Sequence, residues 1–169
     1  AFWIFDSVHH SQREMNLFTD DRVHPVEKLI ANLISLLPSL ILGLEVEIIP
    51  WMLTAQMLYT HAYHANLRTH YGPLRYVLVT PQSHRVHHSA DPAHADCNFG
   101  VIFCLWDRLF GTQVDDWGNF PQTGIEDPDF PMERGATAGA IGATYVRQFI
   151  YPFQQIWSWM THRGQALTR

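Results

Sequence analysis

Cysteine, lysine and charge are all scarce in this chain of 169 residues. The two cysteines, Cys97 and Cys104, are too few for a disulfide framework and lack CxxC spacing. That excludes a thiolate zinc site and fits a reducing compartment. Lys28 is the sole lysine and the formal net charge is -5, so the chain has no basic face for a nucleic acid. Charged residues make up 16% against 47% hydrophobic, a balance that argues against disorder. There is no initiator Met before the apolar run Ala1-Phe-Trp-Ile-Phe5, which leads straight into a His-rich motif without a signal peptide, and the chain reads as a fragment.

Histidine is what the sequence has instead. There are 11, and nine fall between His9 and His88. A helix is predicted over Trp3 to His10, followed by a polar stretch, Ser11 to Pro25, in which Thr19-Asp-Asp21 is a helix-start or turn signal. Leu29 to Leu44 and Ile48 to Tyr59 are apolar and separated by Glu45 and Glu47, with Gly43 and Pro50 where a turn is needed. At 1.5 Å per residue each half reaches roughly 18–24 Å, short of a ~30 Å hydrocarbon core. One pass, two short antiparallel passes and a buried soluble hairpin all fit that length. A single pass would put His9 and His10 across a membrane from His84, His87 and His88. If the clusters cooperate, the chain must return to its starting side, which predicts a hairpin over about 27–62.

Ser83 to Ser89 reads as a helical turn, Phe99 to Phe110 as an apolar run, and Gly111 to Gly135 as an irregular surface segment rich in Pro, Gly and Asp. Ala136 to Met160 reads as a helix lying at a membrane interface, because Arg147 and Gln148 interrupt its apolar character. Residues 1–113 thus form one unit, and 114–169 an irregular segment with an interfacial helix. The expected fold class is all-α: an integral membrane helical protein with a hairpin and a His-rich cap, part of a larger domain.

Two segments share one spacing, Asp6-x-x-His9-His10 and His84-x-x-His87-His88. Positions i, i+3 and i+4 of a helix share a face, so each segment offers three side chains to one point. His61-x-x-His64 adds a third grouping at i and i+3. So many close imidazoles at an apolar boundary are costly to bury without a shared cation. Imidazole and carboxylate suit iron, manganese or zinc. Asp6, His9, His10, His61, His64, His84, His87 and His88 give more donors than one ion takes, which favours two metals. A His-rich iron pair in an apolar setting suits O₂ activation. A soluble His/carboxylate metallohydrolase and a catalytically inactive membrane protein are the competing readings.

Taken in order, Trp3-x-x-Asp6-x-x-His9-His10-Ser11, then Asn16, Thr19, Arg22, His24-Pro25, His64-Ala-Asn66, Thr80-Pro81-x-x-His84-Arg-Val-His87-His88-Ser89, Asn98-Phe-Gly100 and Trp106-Asp-Arg-Leu-Phe-Gly-Thr112 resemble the C-terminal two thirds of the fatty acid hydroxylase and sterol desaturase superfamily. The resemblance implies a mostly helical membrane enzyme with a di-iron centre on the cytosolic face. Such an enzyme uses O₂, and electrons from a separate donor protein, to hydroxylate or desaturate a lipid. Carried over, His9, His10, His64, His84, His87 and His88 are ligands, and His61 matches less closely. His24, Asn66 and Asp107 would stand behind the ligands, with structural roles as their alternative. Two departures stand out. The family's earlier HxxxH-type box has no counterpart, and Asp6 stands where the family has His, so that position either still binds iron with altered charge or has lost the role.

Overall fold

The computed structural model describes residues 3–161, and among them the fold is helical, with six α-helices, three short 3₁₀ turns and two isolated β-bridges. Helix α1 covers Trp3–His10, the range expected from the sequence. Helix α2, Pro25–Ile41, starts where His24 caps it, the ring Nδ1 accepting from the Val26 N–H at 3.2 Å, with Pro25 preset for the first turn. It ends at Ile41, and just beyond it Gly43, with a φ of 62°, lets Leu44 N–H reach back to the Ser39 carbonyl at 3.0 Å. Helix α3, Ile49–His64, then runs back. Gln56 donates to Ser35 at 3.3 Å and Ser39 meets Met52 Sδ at 4.0 Å, a descending register that makes α2 and α3 an antiparallel hairpin.

Helix α4, Pro81–His87, is short but firmly started: Thr80 and Ser83 exchange side-chain and backbone hydrogen bonds in a reciprocal cap. Helix α5 covers only Leu105–Phe110 of the apolar run from Phe99. Helix α6, Ala138–Thr161, buries one face, Thr144, Gln148, Tyr151 and Pro152, and packs on α1. Gln148, read from sequence as an interruption, lies on that inner face, donating to the Pro131 carbonyl at 3.0 Å and accepting from Arg22 at 3.2 Å.

The segment between α5 and α6 is irregular, as expected, yet it is more than surface. Ala90 N–H donates to Gln122 O, Gly124 N–H to His88 O, Thr123 Oγ1 to Arg13 O and Arg85 Nε to Pro121 O, all at 2.8–3.1 Å. It therefore ties the α1 end to α4, and Phe130 joins Val8 and Tyr151 in a small apolar cluster.

Polarity is distributed inside out. Among the described residues the buried positions are dominated by His, Ser, Thr, Asn and Gln, while Leu, Ile, Trp and Phe line the exterior of α2, α3, α5 and α6. Ile41 is 81% exposed and Trp51 77%. No helix of the described residues is long and apolar enough to cross a membrane. His162 lies outside the described residues.

Candidate metal centre

Three helices meet at one buried point. The C-terminal end of α1 supplies His9, the last turn of α3 His64, and α4 His84 and its neighbour His88. One nitrogen from each of these four rings lies within 4.8 Å of all the others. Nε2 of His64 stands 3.1 Å from Nε2 of His9 and 2.8 Å from Nε2 of His84, which in turn is 3.0 Å from Nε2 of His88.

The far side of two rings fixes what these nitrogens carry. His64 Nδ1–H donates to the Thr60 carbonyl at 2.7 Å, and His9 Nδ1–H to the Arg22 carbonyl at 3.3 Å. A carbonyl only accepts, so in the neutral rings the proton sits on Nδ1 and the Nε2 lone pairs face each other. Two lone pairs at hydrogen-bond distance with no proton between them repel, and a cation turns that repulsion into four bonds. Burial pushes His9 down to about 3 and His64 down to about 4, and it holds His10, His84 and His88 well below the ordinary imidazole value; the neighbouring imidazoles push the same way. The rings are therefore neutral near pH 7, the form in which imidazole binds metal. His84 Nδ1 is buried without a hydrogen-bond partner. Four neutral imidazoles converging in this way fit iron, as they fit other divalent transition ions.

Asp20 was not anticipated. It accepts from Thr60 Oγ1 at 2.7 Å and sits 3.6 Å from His64 Nδ1, so it steadies the ring from behind. The sequence signalled only a turn at Thr19-Asp-Asp21, and the structure adds a 3₁₀ turn there that packs on α3.

The remaining predicted donors divide into two sets. His10, His87 and Asp6 adjoin the four rings: His10 stacks on His88 with centroids 4.2 Å apart, lies 4.6 Å from the His87 ring, and its Nε2 is 3.5 Å from Asp6 Oδ2. His87 Nδ1–H donates to the Cys97 carbonyl at 2.8 Å, which leaves its Nε2 lone pair free by the logic that applies to His9 and His64. Burial raises the Asp6 carboxyl above its usual range, and its neighbour His87 opposes that only partly. His61 is turned away from the four rings. Its nitrogens lie 3.3 Å from Asp20 Oδ2 and from Asp21 Oδ2.

The three residues expected behind the ligands have other partners. His24 caps α2 and its Nε2 lies 3.1 Å from the Phe149 carbonyl, tying α2 to α6. Asn66 accepts from Arg85 at 3.1 Å. Asp107 accepts from the Phe99 and Gly100 N–H groups at 2.8 and 2.7 Å and from Thr112 at 2.6 Å, closing the loop before α5. A Cβ on Gly100 would come within 2.7 Å of the Phe103 carbonyl, so only glycine fits this loop. The closure places the Phe99 ring 5.8 Å from that of His87, with an open cavity of about 470 Å³ lined by Phe99, Val101, Phe103, Trp106, Ser35 and Gln56.

The fatty acid hydroxylase family model matches residues 1–112. An ornithine lipid hydroxylase of Rhizobium tropici is 29% identical over 112 residues, covering 66% of this chain and 34% of that protein. Alkylglycerol monooxygenases are also similar: that of Xenopus tropicalis is 29% identical over 119 residues (68% of this chain, 25% of the relative) and that of Danio rerio 32% over 115 residues (65% and 24%). The chain thus spans a quarter to a third of the length of these relatives. No solved structure is a significant match.

Proposed function

The chain belongs to the fatty acid hydroxylase family, and from that premise we propose that it carries much of the di-iron site of an integral membrane oxygenase that hydroxylates or desaturates a lipid. The observation that carries the reading is the convergence of His9, His64, His84 and His88, with the lone pairs of His9 and His64 turned inward. His10, His87 and Asp6, immediately beside them, are the donors for a second iron. When bound, the iron pair supplies the oxidising power to attack an unactivated C–H bond with O₂ as co-substrate. The protein's own residues hold and orient. The Arg22, Thr60 and Cys97 carbonyls set the ring tautomers, Asp20 backs His64, and the strap at 121–124 covers α4.

A lipid substrate accords with the names of the relatives, which act on alkylglycerol and ornithine lipid, and with the apolar exterior. In this reading the α2–α3 hairpin enters the bilayer and returns to the same face, where the metal centre lies on the cytosolic side. The cavity beside Phe99 offers an apolar route toward His87. In this reading electrons come from a separate donor protein.

The test is expression of the full-length protein in membranes, with iron counted per chain and O₂-dependent lipid oxidation measured. Activity that survives His87→Ala and His88→Ala sinks the reading. Asp6 favours one competitor, an inactive homologue with a degraded site. Activity that emerges only with Asp6→His would select it.

A further inference from the structure

Away from the histidines, the loop before α6 holds two aromatic rings against α4 and the 3₁₀ turn Gly72–Tyr76, and arginines lie on both. Gln82 of α4 fixes this stretch, its amide donating to the carbonyls of Trp117 and Asn119, the latter at 3.1 Å. Phe120, thereby held, carries two guanidinium groups on one ring, that of Arg85 at 3.9 Å and that of Arg68 at 4.6 Å from the centroid. Arg85 is the rigid member: its Nε donates to the Pro121 carbonyl at 2.8 Å and its Nη1 to Asn66 Oδ1 at 3.1 Å. Among the described residues its Nη2 has no hydrogen-bond partner, and the exposed Arg68 guanidinium has none either. Arg75 lies 5.1 Å from the ring of Trp117, on the same stretch. No carboxylate of the described residues pairs with any of these three, whereas Arg22 and Arg108 pair with Glu133 and Asp115.

Two like charges on one ring repel, and burial together with the Arg68 charge lowers the Arg85 guanidinium from its ordinary value. Cation–π attraction to Phe120 offsets part of that cost. An anion offsets the rest, since a phosphate accepts from two guanidinium forks at once. The neighbouring side chains indicate what carries the anion. Leu67, next to Arg68, is 53% exposed, and Arg75 is flanked along the chain by the exposed side chains of Leu74, Tyr76 and Val77. Guanidiniums interleaved with outward-facing apolar and aromatic groups suit headgroup depth, where the charge meets phosphate and the apolar groups meet acyl chains. We propose that Arg68 and Arg85, on the Phe120 ring, bind the phosphate of an anionic phospholipid headgroup. A net charge of -5 gives the chain little general attraction to an anionic surface, so binding depends on this local pair. The proposal rests on the membrane placement given above.

Full-length protein is purified in an uncharged detergent and titrated with short-chain phosphatidic acid, with phosphatidylcholine of the same chain length and with inorganic phosphate; bound ligand is counted by native mass spectrometry. Phosphatidic acid is expected to bind most tightly, with an affinity that falls as salt rises. Arg68→Gln is the leading variant, because that guanidinium holds nothing in the fold by a hydrogen bond, and it should weaken binding roughly fivefold, the effect of one arginine at an anionic surface. Adding Arg85→Gln should bring the loss to about 25-fold. Arg147→Gln removes an exposed charge from α6 and should change nothing, which controls for net charge. Thermal melting of each variant reports on the fold. Unchanged affinity for phosphatidic acid in Arg68→Gln and in the double variant overturns the proposal and leaves the arginines to the acidic surface of a protein. An equal loss in Arg147→Gln overturns it too, as does inorganic phosphate bound as tightly as the lipid, which would make this a site for free phosphate. Iron content and lipid oxidation are read on the same preparations, so headgroup binding without oxidation, or oxidation without headgroup binding, separates this claim from the functional one.

Discussion

Helix α3 passes through two environments. Its first three turns carry Trp51, Met57 and Leu58 outward, while its last turn buries Thr60, Tyr63 and His64. The hairpin half of the molecule places apolar side chains where a soluble protein places polar ones, and the other half fills its interior with imidazoles, hydroxyls and amides. A polar interior is tolerable only when its groups are paired, and most here are: Asn98 bonds to Ser83 and Val114, Asp107 to Phe99, Gly100 and Thr112. Eight buried side-chain atoms of the described residues are left without a partner, and two of them, His10 Nε2 and His84 Nδ1, belong to the histidine group. The polar half is thus organised toward a cation, and the apolar half toward a surrounding that need not hydrogen-bond.

The largest effect that can break this contrast comes from deleting a converging ring. His88 is 1% exposed and touches the rings of His9, His10, His64 and His84. His88→Ala is expected to lower iron content and lipid oxidation by more than the ~100-fold that loss of an orienting partner costs. Iron analysis beside a turnover assay checks it, and near-normal iron in the variant would detach the histidines from metal.

Acidification comes next. Burial depresses His9 to about 3 and His64 to about 4 in the metal-free fold, whereas an unfolded chain takes up protons near 6.5. Between those values the unfolded state binds more protons, so stability rises with pH there and is lost as pH falls below about 6.5. The metal-free protein is therefore expected to melt at progressively lower temperature from pH 6.5 down to pH 4, with little change from these groups between pH 7 and 8. Thermal melts after chelation give the curve. A flat profile through pH 5 would mean the rings are more solvated than their burial indicates.

How much of this was legible beforehand depends on where each contact is made. The i, i+3, i+4 spacing places side chains on one helix face, and α1 covers the residues expected of it. The hairpin was legible from apolar runs broken at Gly43 and Pro50. His61 was harder, because three residues on a helix amount to a rotation that leaves it about 60° from His64, enough to turn it toward Asp20 and Asp21 instead. The carbonyls of Arg22, Thr60 and Cys97 were invisible, since every residue has one and only the fold selects which meets a ring. Asp20 was hidden by its second occupation, a turn. The strap at 121–124 followed no pattern, as its bonds to α1 and α4 are made mostly by backbone.

A milder change sharpens the contrast within the polar half. Asp20→Asn keeps the size of the side chain but removes the charge behind His64 and His61. Metal affinity is expected to fall by about 10–100-fold while iron at saturation is unchanged, because the Thr60 carbonyl still fixes the His64 ring. A competition titration with a coloured chelator measures it. Unchanged affinity would leave the carboxylate with only the turn to hold.

The smallest effect on the metal belongs to the hairpin, and it tests the other half of the comparison. Leu37 is half exposed on α2, one residue before Pro38, in the part of the hairpin away from the histidines. Leu37→Arg should leave iron per chain as it is, since no ligand or orienting group lies nearby. If the exterior faces lipid, the same change places a charge in hydrocarbon at a cost of about 2.5–3.5 kcal/mol near the centre of a span, while Leu37→Ala costs far less. The arginine variant should then be depleted from the membrane fraction, and the alanine variant retained. Equal retention of both would show that the apolar exterior of α2 is covered by protein and not by lipid, and the polar interior would have to be explained without a bilayer around it.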